Sequence, residues 1–184
     1  HLPIQIAAEV WYCEGRDKIA ANLAEVKPTL MTAVPRLYEL LHDRITKGVT
    51  LKGGLSAYLF WKAVTLGRNK LLGQTLSMTE ALLDKCLDLL IRKKVRQRFG
   101  GRLAFFVSGG AALNPDIGSF FLSLGVNILQ GYGQTEASPL ISANRPGRIR
   151  IETVGPAVDG VEIKLAGDGE LLARGECLMK GYWR

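Results

Sequence analysis

Two short apolar runs, Leu103–Val107 and Val126–Leu129, each lead directly into a glycine-bearing turn, and one helix fits between them. Asn114 can cap that helix, Pro115 suits its first position, and Asp116 favours its positive end. Gly125 follows Leu124, where a left-handed residue closes a helix. The spacing therefore predicts a strand–helix–strand unit with both glycine turns at the same sheet edge. In open α/β sheets ligands bind beyond the carboxyl ends of the strands, so the two turns are expected to share a ligand.

The turns carry suitable chemistry. The first reads Ser108-Gly109-Gly110-Ala111-Ala112-Leu113 and the second Gly131-Tyr132-Gly133-Gln134-Thr135-Glu136. Glycines allow close backbone approach, the tyrosine ring can stack on a base, and Thr-Glu can serve phosphate and a metal ion. A nucleotide and its cation fit this set. Taken singly, Tyr132 reads equally well as a buried tyrosine, and Glu136 as an acidic residue favouring a helix N-terminus.

The flanking sequence extends the α/β pattern. Residues 4–12 are mostly apolar and are expected to bury. Ile19, Leu23 and Val26 share a helical stripe between Asp17 and Lys27, and Leu30–Val34 reads as a buried strand. A helix from Arg36 to about Thr46 places Leu37, Leu40, Leu41 and Ile45 on one face, and glycines across 47–56 mark a break. Ala57–Lys70 is helix-like. Ser77-Met78-Thr79-Glu80 fits a capping box opening a helix to about Arg98, with Leu83, Leu87 and Leu90 as its buried stripe. After about Glu152 the texture changes: Val161, Ile163 and Leu165 alternate with polar residues, Gly167-Asp168-Gly169 turns, and Glu170–Arg174 returns as a β-hairpin. The expected organisation is an α/β subdomain over 1–150 and the start of a β-rich subdomain over 151–184. Core or subdomain packing is the role expected of Trp11, Trp61 and Trp183.

Composition narrows the function classes. No apolar run approaches the length of about 20 residues needed to span a bilayer. Cys13, Cys86 and Cys177 are odd in number with no C-x-x-C spacing, which points to reduced thiols in a cytoplasmic setting. The net charge of +7 is concentrated in Arg92–Arg102 and in Arg145, Arg148 and Arg150. These blocks are first read as solvated faces and helix C-terminal charges; such blocks can also meet nucleic acid, a polyanionic cofactor or, as peripheral contact, an anionic membrane. No nucleic-acid partner is expected. Neither G-x-x-x-x-G-K-[ST] nor a strand-borne G-x-G-x-x-G occurs, and with His1 and His42 as the only histidines, histidine-centred catalysis is not expected.

The combined motifs resemble the adenylate-forming superfamily. Gly131 to Glu136 matches its Y-G-x-T-E motif, and Ser108-Gly109-Gly110-Ala111 its adenine-side loop. Val154-Gly155-Pro156 and the stretch from Gly169-Glu170 through Gly175 to Met179-Lys180-Gly181-Tyr182-Trp183 resemble its later G-E-L-x-x-R-G…M-x-G-Y segment. Ala33-Val34-Pro35-Arg36-Leu37-Tyr38-Glu39 and the long helical insert over about 45–98 are most similar to long-chain fatty acyl-CoA synthetases.

This resemblance implies part of a layered α/β N-terminal domain. It also implies ATP, Mg²⁺ and coenzyme A as co-substrates and cofactor, with a fatty acid as the group activated. Gly109, Gly110 and Ala111 would border adenine and Tyr132 would stack on it. Gly131 and Gly133 would leave room for the acyl carboxylate. Gln134 would complete the nucleotide loop, Thr135 would bond the α-phosphate and Glu136 would hold Mg²⁺. A Ser/Thr/Gly-rich phosphate loop is expected upstream of the chain; a ribose-binding Asp, a hinge and a catalytic Lys are expected downstream. The 184 residues alone are accordingly expected to be inactive. A fatty acyl-AMP ligase or other acyl- or aryl-adenylating enzyme using another acceptor, or a non-catalytic nucleotide- or membrane-binding module, is the alternative.

Overall fold

The computed structural model describes residues 5–183. Four strands form one sheet in the order β1-β2-β3-β4: Leu30–Ala33, Phe105–Ser108, Ile128–Gly133 and Leu140–Ala143. The first three are parallel and β4 runs antiparallel to β3. A separate hairpin, β5 (Val161–Leu165) with β6 (Leu171–Gly175), occupies the expected place in the sequence. The α/β class and the strand–helix–strand unit are as read.

Six α-helices lying wholly within the described residues accompany the sheet: α1 (Ile19–Val26), α2 (Pro35–Lys52), α3 (Gly54–Leu71), α4 (Met78–Leu87), α5 (Lys93–Arg98) and α6 (Pro115–Ser123). α3 packs on α6 and α4, and α2 on α3 and α6. Their shared core is aromatic. Tyr38, Phe99 and Phe121 meet Phe106 or one another edge-on, and Phe120 joins Phe60 and Phe121. Such edge-to-face pairs contribute beyond their buried area. The Tyr38 hydroxyl is satisfied by the Val107 carbonyl at 3.1 Å, tying α2 to β2.

The caps follow the sequence. Ser77 and Glu80 form a complete capping box, and the Asn114 side chain accepts from Asp116 N–H at 2.9 Å with Pro115 in the first turn.

Several expectations need correction. Residues 5–12 are exposed rather than buried, because among the described residues no element packs over them; residue 4 lies outside the described residues. The break expected over 47–56 is confined to Gly53 and Gly54, both at positive φ, since α2 runs on through Gly48 to Lys52. A mid-helix glycine costs only about 1 kcal/mol, which tertiary packing readily offsets. The long basic helix is interrupted by a π-helical turn at Asp88–Arg92, where Lys93 N–H reaches back to Asp88 O. The extra residue rotates later positions by about 100°. Leu90 is therefore exposed, whereas Arg92 enters the core. Trp11, Trp61 and Trp183 are not core residues; only Trp61 touches the aromatic cluster, at Phe60 and Phe120.

Candidate active site

Because β2 and β3 are parallel neighbours, their carboxyl ends lie side by side. A Cβ added to Gly109 would sit 3.9 Å from the Gly131 carbonyl oxygen, and one on Gly110 would sit 3.9 Å from Val34 Cγ1. The ends of β1, β2 and β3 thus converge, and the structure brings together the two segments singled out in the sequence.

The second segment is not a simple turn. Gly131, Tyr132 and Gly133 belong to β3 and pair with β4, with an irregularity between Tyr132 and Gly133. The chain reverses afterwards, at the 3₁₀ turn Thr135–Ala137. The apolar run ends at Leu129, but pairing with β4 extends the strand by four residues. Gly133 has an internal reason for lacking a side chain: its Cβ would lie 1.7 Å from the Pro139 carbonyl oxygen. The tight return from β3 to β4 excludes any other residue there.

Tyr132 is half-buried, and its hydroxyl accepts from Gln134 Nε2 at 3.1 Å. Thr135 is exposed at the start of the 3₁₀ turn, and Glu136 follows beside it. The Tyr182 hydroxyl donates to Glu136 Oε1. That bond, together with Glu136's own backbone N–H, holds the carboxyl below the ordinary carboxylate range; the same contact pushes the Tyr182 hydroxyl up. Glu136, like any carboxyl of ordinary acidity, is ionised at neutral pH. No cluster of three or more His, Cys, Asp or Glu side chains that would hold a metal occurs among the described residues. A lone ionised carboxylate is nevertheless the donor set suited to magnesium carried on phosphates, which supply the remaining oxygens.

Gln130 supports the site without belonging to either motif. It is buried beneath the site, and its side-chain carbonyl accepts from Leu113 N–H at 3.2 Å while its amide donates to the Ile151 carbonyl. It therefore pins the end of the Gly109–Leu113 segment to β3 and to the following loop. A polar residue closing an apolar strand was the available signal. Ser108 Oγ, directly before the glycine pair, is buried without a hydrogen-bond partner among the described residues.

The basic block is smaller at the surface than its sequence suggests. Arg92 is buried against Asp84, and Arg96 pairs with Asp88 through two bonds of 3.0 and 3.1 Å. Lys93, Lys94, Arg98 and Arg102 remain exposed. Among the described residues, no helix is long and apolar enough to cross a membrane.

The model of the AMP-binding enzyme family matches residues 2–183. The chain belongs to that family. It is 34% identical over 164 residues to the long-chain-fatty-acid–CoA ligase FadD15 of Mycobacterium bovis, a match covering 88% of this chain and 27% of the relative. It is 32% identical over 183 residues to the peroxisomal long chain acyl-CoA synthetase 7 of Arabidopsis thaliana, covering 91% and 25% of the two chains. The chain therefore spans about a quarter of the length of these relatives. A benzoate CoA ligase from Burkholderia xenovorans superposes with a TM-score of 0.58 at 25% identity, covering 98% of this chain and 30% of its own. A long-chain-fatty-acid-CoA ligase from Archaeoglobus fulgidus shares the fold, with a TM-score of 0.58 at 20% identity over 100% of this chain and 32% of the other.

Proposed function

We propose that this chain is the central segment of an ATP-dependent long-chain fatty acid–CoA ligase and contributes the adenine, α-phosphate and magnesium portion of its site. The observation that carries the proposal is the approach of Gly109 to Gly131 where parallel β2 and β3 lie side by side, in a chain whose relatives include long-chain-fatty-acid–CoA ligases.

Each role is the one that the family's motif implies. The Gly109-Gly110-Ala111 backbone borders the base, and Tyr132, held by Gln134, offers its ring for stacking. Thr135 donates its hydroxyl to the α-phosphate. The acyl carboxylate lies along the backbone of Gly131 and Gly133, whose missing side chains make room for Leu140 and Pro139. Glu136, ionised at neutral pH, is the protein ligand for magnesium, which when bound would neutralise charge developing on the phosphate oxygens. A fatty carboxylate oxygen attacks the α-phosphorus and pyrophosphate leaves. The coenzyme A thiol, losing its proton, then attacks the acyl carbonyl and AMP leaves. Binding, orientation and fixed donors supply the acceleration in such transfers.

The names of the relatives favour coenzyme A over a carrier protein as acceptor. The exposed Lys93, Lys94, Arg98 and Arg102 are the charges left for peripheral contact with an anionic membrane, and a cytoplasmic setting suits the three unpaired thiols.

The test is product analysis with the full-length protein. A long-chain fatty acid, ATP and coenzyme A should yield acyl-CoA, AMP and pyrophosphate in equal amounts. Acyl-adenylate without thioester would replace the acceptor, and no acid-dependent release of pyrophosphate would overturn the reading.

A further inference from the structure

After β6 the chain returns to the site edge. Met179 N–H donates to the Glu136 main-chain carbonyl at 2.8 Å, and the Tyr182 hydroxyl donates to Glu136 Oε1. The 3₁₀ turn is thus gripped at backbone and side chain by one short strap, 46 residues later in the sequence at Tyr182. Between the two contacts Gly181 adopts φ +147, a conformation that L side chains rarely take and that turns Tyr182 toward the carboxylate. Apolar burial does not account for this placement, because Tyr182 is 76% exposed. Among the described residues Tyr182 is the only side chain that hydrogen-bonds the Glu136 carboxylate.

We propose that Tyr182 is a positioning residue for Glu136, fixing one carboxylate oxygen and leaving the other for the cation. The inference rests on Glu136 being the magnesium ligand. A partner that orients a ligating carboxylate supports metal affinity without touching the metal. Tyr182→Phe removes one hydroxyl from an exposed ring, which keeps the fold intact.

The experiment titrates Mn²⁺ into the full-length protein holding a non-hydrolysable ATP analogue, with bound metal read by electron paramagnetic resonance. Four proteins are compared: wild type, Tyr182→Phe, Glu136→Gln and the double variant. Tyr182→Phe should weaken Mn²⁺ about tenfold, shift the magnesium dependence of exchange to match, and leave the KM for fatty acid unmoved. The double variant should bind no worse than Glu136→Gln, because the hydroxyl acts only through the carboxylate. If Glu136→Gln weakens the metal and Tyr182→Phe does not, the positioning role is wrong while the ligand reading stands. If Glu136→Gln also leaves affinity unchanged, the ligand reading fails and takes this one with it. Tighter binding in Tyr182→Phe would make the tyrosine a competitor of the metal and overturn the proposal. So would a lowered Tm with unchanged affinity.

Discussion

Arg92 donates to Asp84 Oδ1 across 2.6 Å in the core, although eight residues and a π-helical turn separate them. The guanidinium also bonds the carbonyls of Ser123 and Ala63, each at 2.8 Å, so one side chain joins α4, α6 and α3. Lys70 reaches the other Asp84 oxygen at 2.9 Å from the surface. A buried pair is not automatically stabilising, but losing Arg92 leaves Asp84 with Lys70 alone and strips the Ser123 and Ala63 carbonyls of their partner. Arg92→Met should therefore cost about 3–5 kcal/mol in urea denaturation at neutral pH. A loss below about 1 kcal/mol would mean that water reaches the pair.

The same cluster sets an acid limit. Burial pushes the Asp84 pKa up, and hydrogen bonds from Lys70 and Arg92 more than offset it, leaving the pKa below its ordinary 3.8. A depressed carboxyl contributes stability that is complete above its unfolded pKa and fades as pH falls through the folded one. The Tm gap between wild type and Asp84→Asn should be constant above about pH 5 and narrow as the pH drops below about 4. A gap independent of pH would contradict the pairing.

Gln130→Leu should strip Leu113 N–H and the Ile151 carbonyl of their shared partner. The expected cost is about 1–3 kcal/mol for the orphaned groups. Because the Gly109–Leu113 segment loses its anchor, the KM for ATP should rise more than kcat falls. Equal loss of stability with unchanged KM would confine Gln130 to a structural part.

Gly67 marks where α3 and α6 nearly touch: a Cβ there would lie 2.4 Å from the Ser123 carbonyl oxygen and 2.7 Å from Ser123 Cα. Backbone cannot move aside as a side chain can, so Gly67→Ala should cost about 1–3 kcal/mol or more despite alanine's better helix propensity. Stabilisation on denaturant titration would show that the helices separate easily.

Much of this was legible in the residues. The caps at Ser77 and Asn114 and the β5–β6 hairpin are local devices, and local chemistry shows in sequence. The two glycine segments meet because parallel neighbours share an edge. What escaped notice depends on contacts between distant segments. The extension of β3 through Gly133 requires β4, and the burial of Arg92 requires a helix phase shift that no periodicity announces. Residues 5–12 misled because apolar character alone does not supply a partner surface. In the site, the residue types were readable while their supports, Gln130 beneath and Tyr182 beside, were not. Each is a polar side chain whose partners lie 17 to 46 residues away.

The central claim is that Glu136 stands at an adenylating centre, and fatty-acid-dependent exchange of labelled pyrophosphate into ATP tests it most directly. With the full-length protein, Glu136→Gln should lower exchange about a hundredfold or more at limiting magnesium, a cost of several kcal/mol. Wild-type exchange by that variant at every magnesium concentration would contradict the account.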